Sequence, residues 1–298
     1  MLSVALAAVL SVFIYFVWLK IIYRQYRQCV AENGTGYIVS LIQKASITKD
    51  PDGICSHGKH RKERVPWLRA AAGQDRVSEN LRVLFVTAHP DDECMFFAPA
   101  IIHFVKLNVS VYLLCLSAGN YYNQGEIRKK ELLKSCGVLG IPAAHLTVID
   151  CSELPDHPRV QWDTDLVSTL ILKQVEASTI NLVLTFDKSG VSGHNNHITL
   201  YRSLRYLSCA GKLPEGCCAV ALETVNIFRK YVSIFELPIS WFSASDFISI
   251  IWKKEYGQAK RAMCCHDSQM LWFRQVYLLF SRYMFINTFR LISEERKC

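Results

Sequence analysis

Residue types that bind metals and transfer protons crowd into the stretch 88–93. It has the sequence Ala-His-Pro-Asp-Asp-Glu and directly follows the apolar run Leu81–Thr87. The run has the composition of a buried strand, and Pro90 favours a turn and the start of a helix because it has no backbone N–H to donate. His89 and the two aspartates are therefore expected at the carboxyl end of a strand, the edge at which open α/β sheets place their ligands.

A second polar cluster follows the apolar run Ile180–Phe186, which also predicts a strand. The chain then passes through Asp187 to the stretch 193–197, Gly-His-Asn-Asn-His. If the two strands are parallel, their carboxyl ends open on the same edge, and His194 and His197 face the first cluster across one crevice. Either cluster alone has an ordinary explanation as a capped turn or a structural histidine. Two clusters in corresponding positions predict a functional site.

The chemistry that these residue types allow is metal-assisted hydrolysis. Two histidines and one carboxylate with an open position form the ligand set of a catalytic zinc. Asp91 and Asp92 are neighbours on a turn and cannot point the same way, so one can bind the metal while the other takes a proton from water. The remaining histidine could stabilise an oxyanion or protonate a leaving amine. The scissile bond predicted in this way is an amide, an ester or a phosphoester.

The elements that must hold these clusters alternate between strand and helix patterns from Asn80 onward. This alternation predicts an α/β, Rossmann-like fold with a mostly parallel sheet flanked by helices. Ala219–Phe235 is rich in β-branched residues and is expected to extend the sheet. Met270–Ile292 is apolar but contains three arginines, which exclude a second transmembrane helix and leave a packed or an interfacial helix. The predicted strands are Leu81–Thr87, Val109–Leu116, Leu146–Asp150 and Ile180–Phe186, and the predicted helices cover about 92–106, 126–139 and 162–176.

The amino-terminal run Leu2–Leu19 carries no charge and is about 18 residues long, near the minimum that spans a bilayer. Lys20, Arg24 and Arg27 follow it, so the positive-inside rule predicts an amino terminus outside the cytosol and the rest of the chain inside. A cleaved signal peptide would show a charged n-region and a small-x-small cleavage site, which are missing here. The predicted division is a transmembrane anchor over 1–24, a linker over 25–79 and a domain with both polar clusters over 80–298.

Composition limits the class of protein. The chain has 298 residues, of which 51% are hydrophobic, with a mean hydropathy of +0.15 and a formal net charge of +8. The basic residues do not form the aromatic-interleaved blocks of nucleic-acid binders, and an anionic lipid headgroup fits the charge at least as well. Twelve cysteines without a Cys-x-x-Cys predict free thiols in a reducing compartment. Cys55, His57 and His60 lack a fourth ligand and are interpreted as surface residues.

Five stretches together resemble the PIG-L family of zinc de-N-acetylases, and the similarity runs from about Leu81 to Asn287. The longest of them has the sequence Ser-Ala-Gly-Asn-Tyr-Tyr-Asn-Gln-Gly-Glu. The amino-terminal anchor matches the family in kind, whereas the predicted linker does not match closely. The five stretches are 88–93, 117–126, 128–132, 193–197 and 265–269.

The resemblance implies a role for each residue at a matching position. His89, Asp92 and His197 would be the ligands of a divalent metal, most simply Zn²⁺. Asp91 would be the general base, and His194 would stabilise the tetrahedral intermediate as an electrophile.

Two positions leave alternatives open. Many relatives have an aspartate where this chain has Asn196, and a neutral asparagine weakens the argument that this position holds His194 protonated. Arg128 suits the substrate's phosphate because a guanidinium binds anions in a bidentate way. It could equally pair with Glu131 three residues later on a helix surface.

Five further ionisable residues receive structural interpretations. Glu93 is expected to be a first-turn acid favoured by the helix dipole. His266 either approaches the site or is a structural histidine. His103, His145 and His157 have no partners in the sequence and are interpreted as structural.

The resemblance also implies the reaction and its setting. N-acetylglucosaminyl-phosphatidylinositol would be hydrolysed to the glucosaminyl lipid and acetate, an early step of GPI-anchor biosynthesis on the cytosolic side of the endoplasmic reticulum membrane. The partners would be this glycolipid and the membrane, with no nucleic acid; the sequence leaves protein partners open. Alternatives are a deacetylase of another N-acetyl sugar, a phosphoesterase, or a non-catalytic anchored adaptor. A nucleotide-binding Rossmann enzyme is disfavoured because no Gly-x-Gly-x-x-Gly follows the first strand.

Overall fold

A computed structural model describes residues 2–47 and 81–292. Its centre is a single seven-stranded sheet. The strands are short runs of mostly buried, mostly apolar residues, as expected for a sheet covered on both faces. They are β1 Arg82–Thr87, β2 Ser110–Cys115, β3 Leu146–Val148, β4 Leu182–Phe186, β5 Cys218–Leu222, β6 Phe247–Ile250 and β7 Ile286–Leu291.

The topology brings the ends of β1 and β4 together. The strand order is β3-β2-β1-β4-β5-β7-β6, in which β1 to β5 are parallel and β7 is antiparallel to both of its neighbours. The chain moves outward from β1 to β3 on one side and then returns to β4 on the other side of β1. Such a reversal opens a crevice at the carboxyl ends of the two strands. The predicted α/β fold with a mostly parallel sheet is confirmed.

Helices cover both faces of this sheet, and local signals fix several of their ends. Asp163 begins α6 by accepting hydrogen bonds from the amides of Asp165 and Leu166. Gly140 ends α5 with a φ of +93°, where a side chain would strain the backbone. The helices are α1 Leu2–Asn33, α2 Gly36–Ile47, α3 Asp92–Phe96, α4 Ala98–Lys106, α5 Gly125–Leu139, α6 Thr164–Ala177, α7 Gly190–Gly193, α8 Asn195–Cys209, α9 Ile227–Lys230, α10 Leu237–Phe242, α11 Lys253–Met263 and α12 Trp272–Phe280.

Three sequence predictions need correction. The helix expected over 92–106 is broken at Phe97 into α3 and α4, since a proline occupies the first turn of α4. The segment Ala219–Phe235 is a strand only as far as Leu222, after which Asn226 caps α9 by accepting from the amide of Arg229. The carboxyl-terminal region is helical only over α12 and ends in the antiparallel strand β7.

The amino-terminal helix α1 is long and apolar enough over Ala5–Asn33 to cross a membrane, and it is mostly exposed. It continues past the predicted end of the anchor, and α2 follows it within the first half of the predicted linker. Apolar residues of α2 at helical spacing, Ile38 and Leu41 among them, join the core of the sheet domain. The rest of the predicted linker, with Cys55, His57 and His60, lies outside the described residues. The exact boundaries of anchor, linker and catalytic domain stay a prediction.

A buried histidine fastens both amino-terminal helices to the sheet domain. His103 of α4 is hydrogen-bonded through Nδ1 to Tyr26 of α1 at 2.8 Å and through Nε2 to Tyr37 of α2. Lys106 of α4 also forms an ion pair with Glu255 of α11, which lies 3.7 Å from Arg27 of α1.

The described cysteines are all free, as predicted.

Candidate metal centre

His89, Asp92 and His197 meet at the adjoining carboxyl ends of β1 and β4. One potential ligand atom of each lies within 4.8 Å of the others, and all three residues are buried. Asp92 Oδ1 is 3.3 Å from His197 Nε2, and Asp92 Oδ2 is 3.8 Å from His89 Nδ1. The two clusters that the sequence placed after corresponding strands therefore form one site.

Asp92 is held in place by the turn that it follows. Its Oδ2 accepts hydrogen bonds from the backbone amides of Ala88 at 3.0 Å and His89 at 2.9 Å. Burial alone would raise the pKa of this carboxyl, but His197 and His89 outweigh it and hold the pKa of Asp92 below its usual range. The side chain is therefore an ionised carboxylate that faces two histidines and can supply an oxygen ligand to a metal.

His197 presents a free nitrogen to this carboxylate. Its ring stacks on Phe186 with a centroid separation of 3.9 Å, and its Nδ1 lies 3.1 Å from the carbonyl oxygen of Gly190. Since a carbonyl only accepts, Nδ1 carries a proton and Nε2 is the nitrogen turned towards Asp92. Burial alone would lower the pKa of His197, but Asp92 outweighs it and raises this pKa, so a metal ion bound at Nε2 would replace a proton there. His197 Nε2 is buried and has no hydrogen-bond partner. A buried nitrogen left in this state beside a carboxylate is suited to a metal ion.

His89 is oriented by contacts at Nε2, the ring nitrogen that points away from Asp92. Its Nε2 lies 3.1 Å from Asn196 Oδ1 and 3.1 Å from Asp156 Oδ1, and both oxygens act as acceptors. Nε2 therefore carries the proton, and Nδ1, on the side of Asp92, is available as a ligand. A carboxylate behind a ligating histidine fixes its tautomer and raises its basicity. The residues present thus fit a divalent metal held by His89, Asp92 and His197.

A second grouping shares His89 with Asp156 and His194 at ligand distance. In that grouping Asp156 is already paired, because its Oδ2 accepts from Arg128 Nη1 at 3.0 Å. Of these two groupings, only the one with Asp92 contains a buried nitrogen without a partner. A third grouping, of Glu93, Cys94 and His266, also contains one in His266 Nδ1, but its Glu93 Oε1 and His266 Nε2 are already hydrogen-bonded to each other at 2.8 Å. The His89, Asp92 and His197 set is therefore the better metal site among the described residues.

The loop before α8 is built from unusual backbone conformations. Gly190, Val191 and Gly193 all have positive φ values, and a Cβ on Gly190 would lie 3.0 Å from the Cβ of His197. Asp187 organises this loop by accepting hydrogen bonds from the amides of its own turn and from the amide of Thr224 at 2.7 Å. The loop delivers the Gly190 carbonyl to the His197 ring.

His194 is half-buried beside His89 and His197, the two histidines of the candidate metal set. Its ring centroid is 4.7 Å from that of His89 and 4.9 Å from that of His197. Its Nδ1 accepts a hydrogen bond from the amide of Asn196 at 3.3 Å as it caps α8. Burial and the two neighbouring histidines lower the pKa of His194 to about 4. The ring is therefore neutral near pH 7 and keeps Nε2–H as a donor.

Asp91 has surroundings unlike those of Asp92. Its backbone φ of +129° is strained for a residue with a side chain, and its amide donates to Glu93 Oε2 at 3.0 Å. Its Oδ2 accepts from Arg274 Nη2 at 2.7 Å and lies 3.7 Å from Arg128 Nη2. Burial disfavours the Arg274 cation, but Asp91 outweighs it and raises the pKa of Arg274. A carboxylate that lies between two guanidinium groups and is carried by a strained backbone is typical of a functional site.

Comparison with known proteins identifies the family. The PIG-L family, described as GlcNAc-PI de-N-acetylase, matches residues 84–207. The N-acetylglucosaminyl-phosphatidylinositol de-N-acetylase of Bos taurus is 54% identical over 207 residues, covering 70% of this chain and 82% of its own length. A protein of Dictyostelium discoideum with the same name, qualified as probable, is 35% identical and covers 70% of this chain and 92% of its own length.

The chain belongs to the PIG-L family. Its fold is also shared with the solved N,N'-diacetylchitobiose deacetylase of Pyrococcus horikoshii, at 15% identity and a TM-score of 0.50. That similarity covers 73% of this chain and 86% of the other chain.

Arg128 occupies a structural position in this PIG-L chain. It is buried, donates to the carbonyl oxygens of Gly119 at 2.9 Å and Pro90 at 2.7 Å, and pairs with Asp156. Gly119 makes room for it, because a Cβ there would lie 2.5 Å from the guanidinium. Its expected partner Glu131 instead accepts from Ser268. The phosphate-binding role of Arg128 stays a prediction.

Asn196 acts on a different histidine from the one considered in the sequence. Its Oδ1 faces His89, its Nδ2 donates to the Val160 carbonyl at 3.0 Å, and only its backbone amide contacts His194. The amide side chain supports His89, a candidate metal ligand, in this PIG-L chain. The side chain at position 196 therefore does not contact His194 in this chain.

Glu93 and His266 form a fully buried pair behind Asp91. Glu93 Oε1 is 2.8 Å from His266 Nε2 and accepts from Ser135 Oγ at 2.6 Å, while its other oxygen holds the Asp91 amide. Glu93 does lie in the first turn of α3, as predicted. Its hydrogen bonds also join the Asp91 amide to Ser135 and His266. His266 touches Glu93 and supports the turn that shapes Asp91.

Two residues of the site were missed in the sequence. Asp156 lies in an irregular segment without a motif, and Arg274 was noted only as a charge that interrupts an apolar region. No local signal could have found Asp156. Arg274 is the only charged residue of the largely apolar helix α12, and this was a usable signal.

Proposed function

We propose that this protein hydrolyses the acetamide bond of N-acetylglucosaminyl-phosphatidylinositol, giving acetate and the glucosaminyl lipid in GPI-anchor biosynthesis. The observation that carries the proposal is the 54% identity with the bovine enzyme of that name over 82% of its length. The arrangement of histidines and carboxylates supports the same class of reaction, because it supplies metal ligands, an acid–base group and an oxyanion donor.

His89, Asp92 and His197 would hold the metal. The two imidazoles and one carboxylate match the donor set that zinc prefers at catalytic sites, which supports Zn²⁺ as the ion. When bound, such an ion supplies Lewis-acid activation of water and of the acetamide carbonyl.

Asp91 would transfer the proton, and His194 would stabilise the negative charge that develops during the reaction. Asp91 accepts the proton of the attacking water as the new C–O bond forms, and Arg274 and Arg128 hold its carboxylate. His194, neutral because its pKa is lowered to about 4, donates Nε2–H to the oxygen that gains negative charge. Asp91 then passes its proton to the departing nitrogen as the C–N bond breaks, so acetate leaves and the amine remains on the sugar.

The setting proposed for this reaction is the cytosolic face of the endoplasmic reticulum membrane. Support comes from the apolar helix α1, from the basic residues that follow its uncharged part, and from the free cysteines of the described domain. A topology assay with a protease added to sealed microsomes tests the orientation. Cleavage of the catalytic domain without detergent is expected, and protection would reverse the orientation.

The alternatives have less support. A non-catalytic adaptor does not need a buried nitrogen kept free beside an ionised carboxylate, yet His197 Nε2 is kept in that state. A deacetylase of another N-acetyl sugar would use the same residues, so only the substrate separates it from the proposal. A phosphoesterase would release phosphate.

The test is an assay of the full chain in phosphatidylcholine vesicles that contain N-acetylglucosaminyl-phosphatidylinositol. Acetate release with one new amine per acetate is expected, and the already deacetylated lipid serves as the control without acetate. Phosphate release without acetate would overturn the proposal. Equal turnover of simple N-acetyl sugars would assign the enzyme to another substrate.

A further inference from the structure

Helix α12 carries its apolar residues on the outside. Trp272 is 77% exposed, and the outward stripe continues through Phe273, Val276 and Leu279 at helical spacing. Tyr277, on the opposite side, is buried and donates to the carbonyl of Met95. A helix whose exposed face is more apolar than its inner face is not a normal surface helix of a soluble domain.

A second apolar surface covers the segment 227–242, which contains α9 and α10. Phe228 is 83% exposed, and Ile239 and Phe242 are also exposed. The carboxylate of Glu236 points inward and pairs with Arg229 and Arg282, so the one acidic group of this segment is turned away from the surface, whereas the basic Arg229 and Lys230 remain partly exposed. What the segment shows to its surroundings is largely aromatic and aliphatic.

The second surface lies against the part of α1 that has to be inside a bilayer. Phe235 stacks on Tyr15 at 6.1 Å and packs edge-on against Phe16 at 5.5 Å, and Phe242 lies 6.4 Å from Trp18. These three α1 residues fall within the uncharged run 2–19. If α1 spans the membrane, it holds Phe235 and Phe242 at the level of the lipid.

The two surfaces belong to one rigid body. Arg282 follows α12 directly, is fully buried, and donates to Ser240 of α10 at 2.9 Å. The same guanidinium lies 3.3 Å from Glu236. A buried ion pair with these hydrogen bonds fixes the end of α12 to the segment that packs on α1.

We propose that α12 and the segment 227–242 form a membrane-docking surface, and that its occupant is the lipid of the bilayer that α1 crosses. The contact with the uncharged run of α1 favours lipid over a protein partner, because the apolar surface is continuous with a helix already in lipid. Trp272, which combines an apolar ring with an N–H donor, and the apolar Phe228 are side chains of the kind that lie at the membrane interface.

Docking of this surface has a consequence for the site. The inner side of α12 carries Arg274, which holds Asp91 at 2.7 Å. The helix that lies on the lipid therefore also contacts Asp91, the proposed base. With the surface docked, the sugar of the glycolipid would reach the site while its acyl chains stay in the bilayer. This inference rests on α1 as a membrane anchor, which is part of the proposed function.

The test measures quenching of Trp272 by lipid. The full chain and the W272F variant are reconstituted in vesicles of phosphatidylcholine with either ordinary or brominated acyl chains. The difference in emission between the two proteins is the emission of Trp272. We expect brominated lipid to reduce this difference at least twofold, because bromine quenches only at short range.

Two matched variants calibrate the result. W18F reports a residue of α1 and sets the signal of a side chain inside the bilayer, and W162F reports a tryptophan that is fully buried in the sheet domain. A Trp272 emission that brominated lipid leaves unchanged, while the Trp18 emission is quenched, would overturn the docking surface and leave the anchor intact. Release of the intact chain by carbonate would instead overturn the anchor on which the inference rests. A Trp272 emission that responds to protein concentration and not to bromine would assign the surface to a second copy.

Discussion

Asp91 and Asp92 show how much two adjacent carboxylates can differ. Asp92 accepts two backbone amides and faces His89 and His197, whereas Asp91 has a strained backbone and contacts Arg274. The sequence predicts that neighbours on a turn must divide their roles, since their side chains diverge. Which of them faces the histidines follows only from the geometry of the turn.

Replacement of Asp91 separates chemistry from metal binding. D91N keeps the shape of the side chain and the hydrogen bond from the backbone amide of residue 91 to Glu93, but it cannot accept the proton from water. Turnover is therefore expected to fall by about 10² to 10⁴. Metal content is expected to stay at the wild-type level. H89A is the matched variant that removes a ligand and is expected to lose both. Acetate release and metal content are measured on the same samples, and a fully active D91N would remove Asp91 as the base.

At the scale of elements, Gly190 in the loop before α8 positions His197 of the candidate metal site. G190A places a Cβ 3.0 Å from the His197 Cβ at a φ of +56°, so it moves the ring and its carbonyl acceptor. Metal affinity is expected to fall about 10- to 100-fold, as for other supports of metal ligands. Competition with a chelator measures the affinity.

Gly193 offers the control for this substitution. Its φ is +74°, but a Cβ there meets nothing within 4 Å. G193A therefore introduces backbone strain without the contact with His197. Equal losses of metal affinity in G190A and G193A would show that strain, and not displacement of the ring, is responsible.

The junction between α1, α2 and α4 predicts a dependence of stability on pH. Burial, with Arg27 and Lys106 nearby, lowers the pKa of His103 to about 3. The unfolded chain takes up a proton as the pH falls below the ordinary value of about 6.5, and the folded chain does not. Stability therefore falls between about pH 6.5 and about pH 3, by at most about 5 kcal/mol.

The variant H103Q tests this junction, because glutamine can both donate and accept but does not titrate. Wild type is expected to lose more thermal stability than H103Q between pH 7.5 and pH 5, measured by unfolding in detergent micelles. Parallel pH dependences of the two proteins would contradict the assignment.

Elements differed in how well the sequence predicted them. The strands β1, β2 and β4 have continuous apolar runs, and their positions were predicted within a few residues. The sequence predicts no strand at β6 or β7, because β6 has only four residues and the apolar residues of β7 are interrupted by Asn287, Thr288 and Arg290. Helix α2 was assigned to a linker because glycine and asparagine precede it, although its apolar residues have helical spacing. Tertiary packing on the sheet decides these elements.

The whole molecule places a parallel sheet with one catalytic edge beside a helix that can span a membrane. Sequence motifs predicted the fold, the family and the two halves of the site, because those features depend on local patterns. Asp156, Arg274 and the aromatic contacts with α1 depend on residues far apart in the chain. Contacts of this kind leave no periodic signal in a single sequence.

The most direct test of the account measures bound metal and acetate release in the same preparation of the full chain in phosphatidylcholine vesicles with N-acetylglucosaminyl-phosphatidylinositol. Chelation is expected to abolish acetate release. Added Zn²⁺ is expected to restore it in proportion to the metal bound, with saturation near one ion per chain. Undiminished acetate release from metal-free protein would contradict the account.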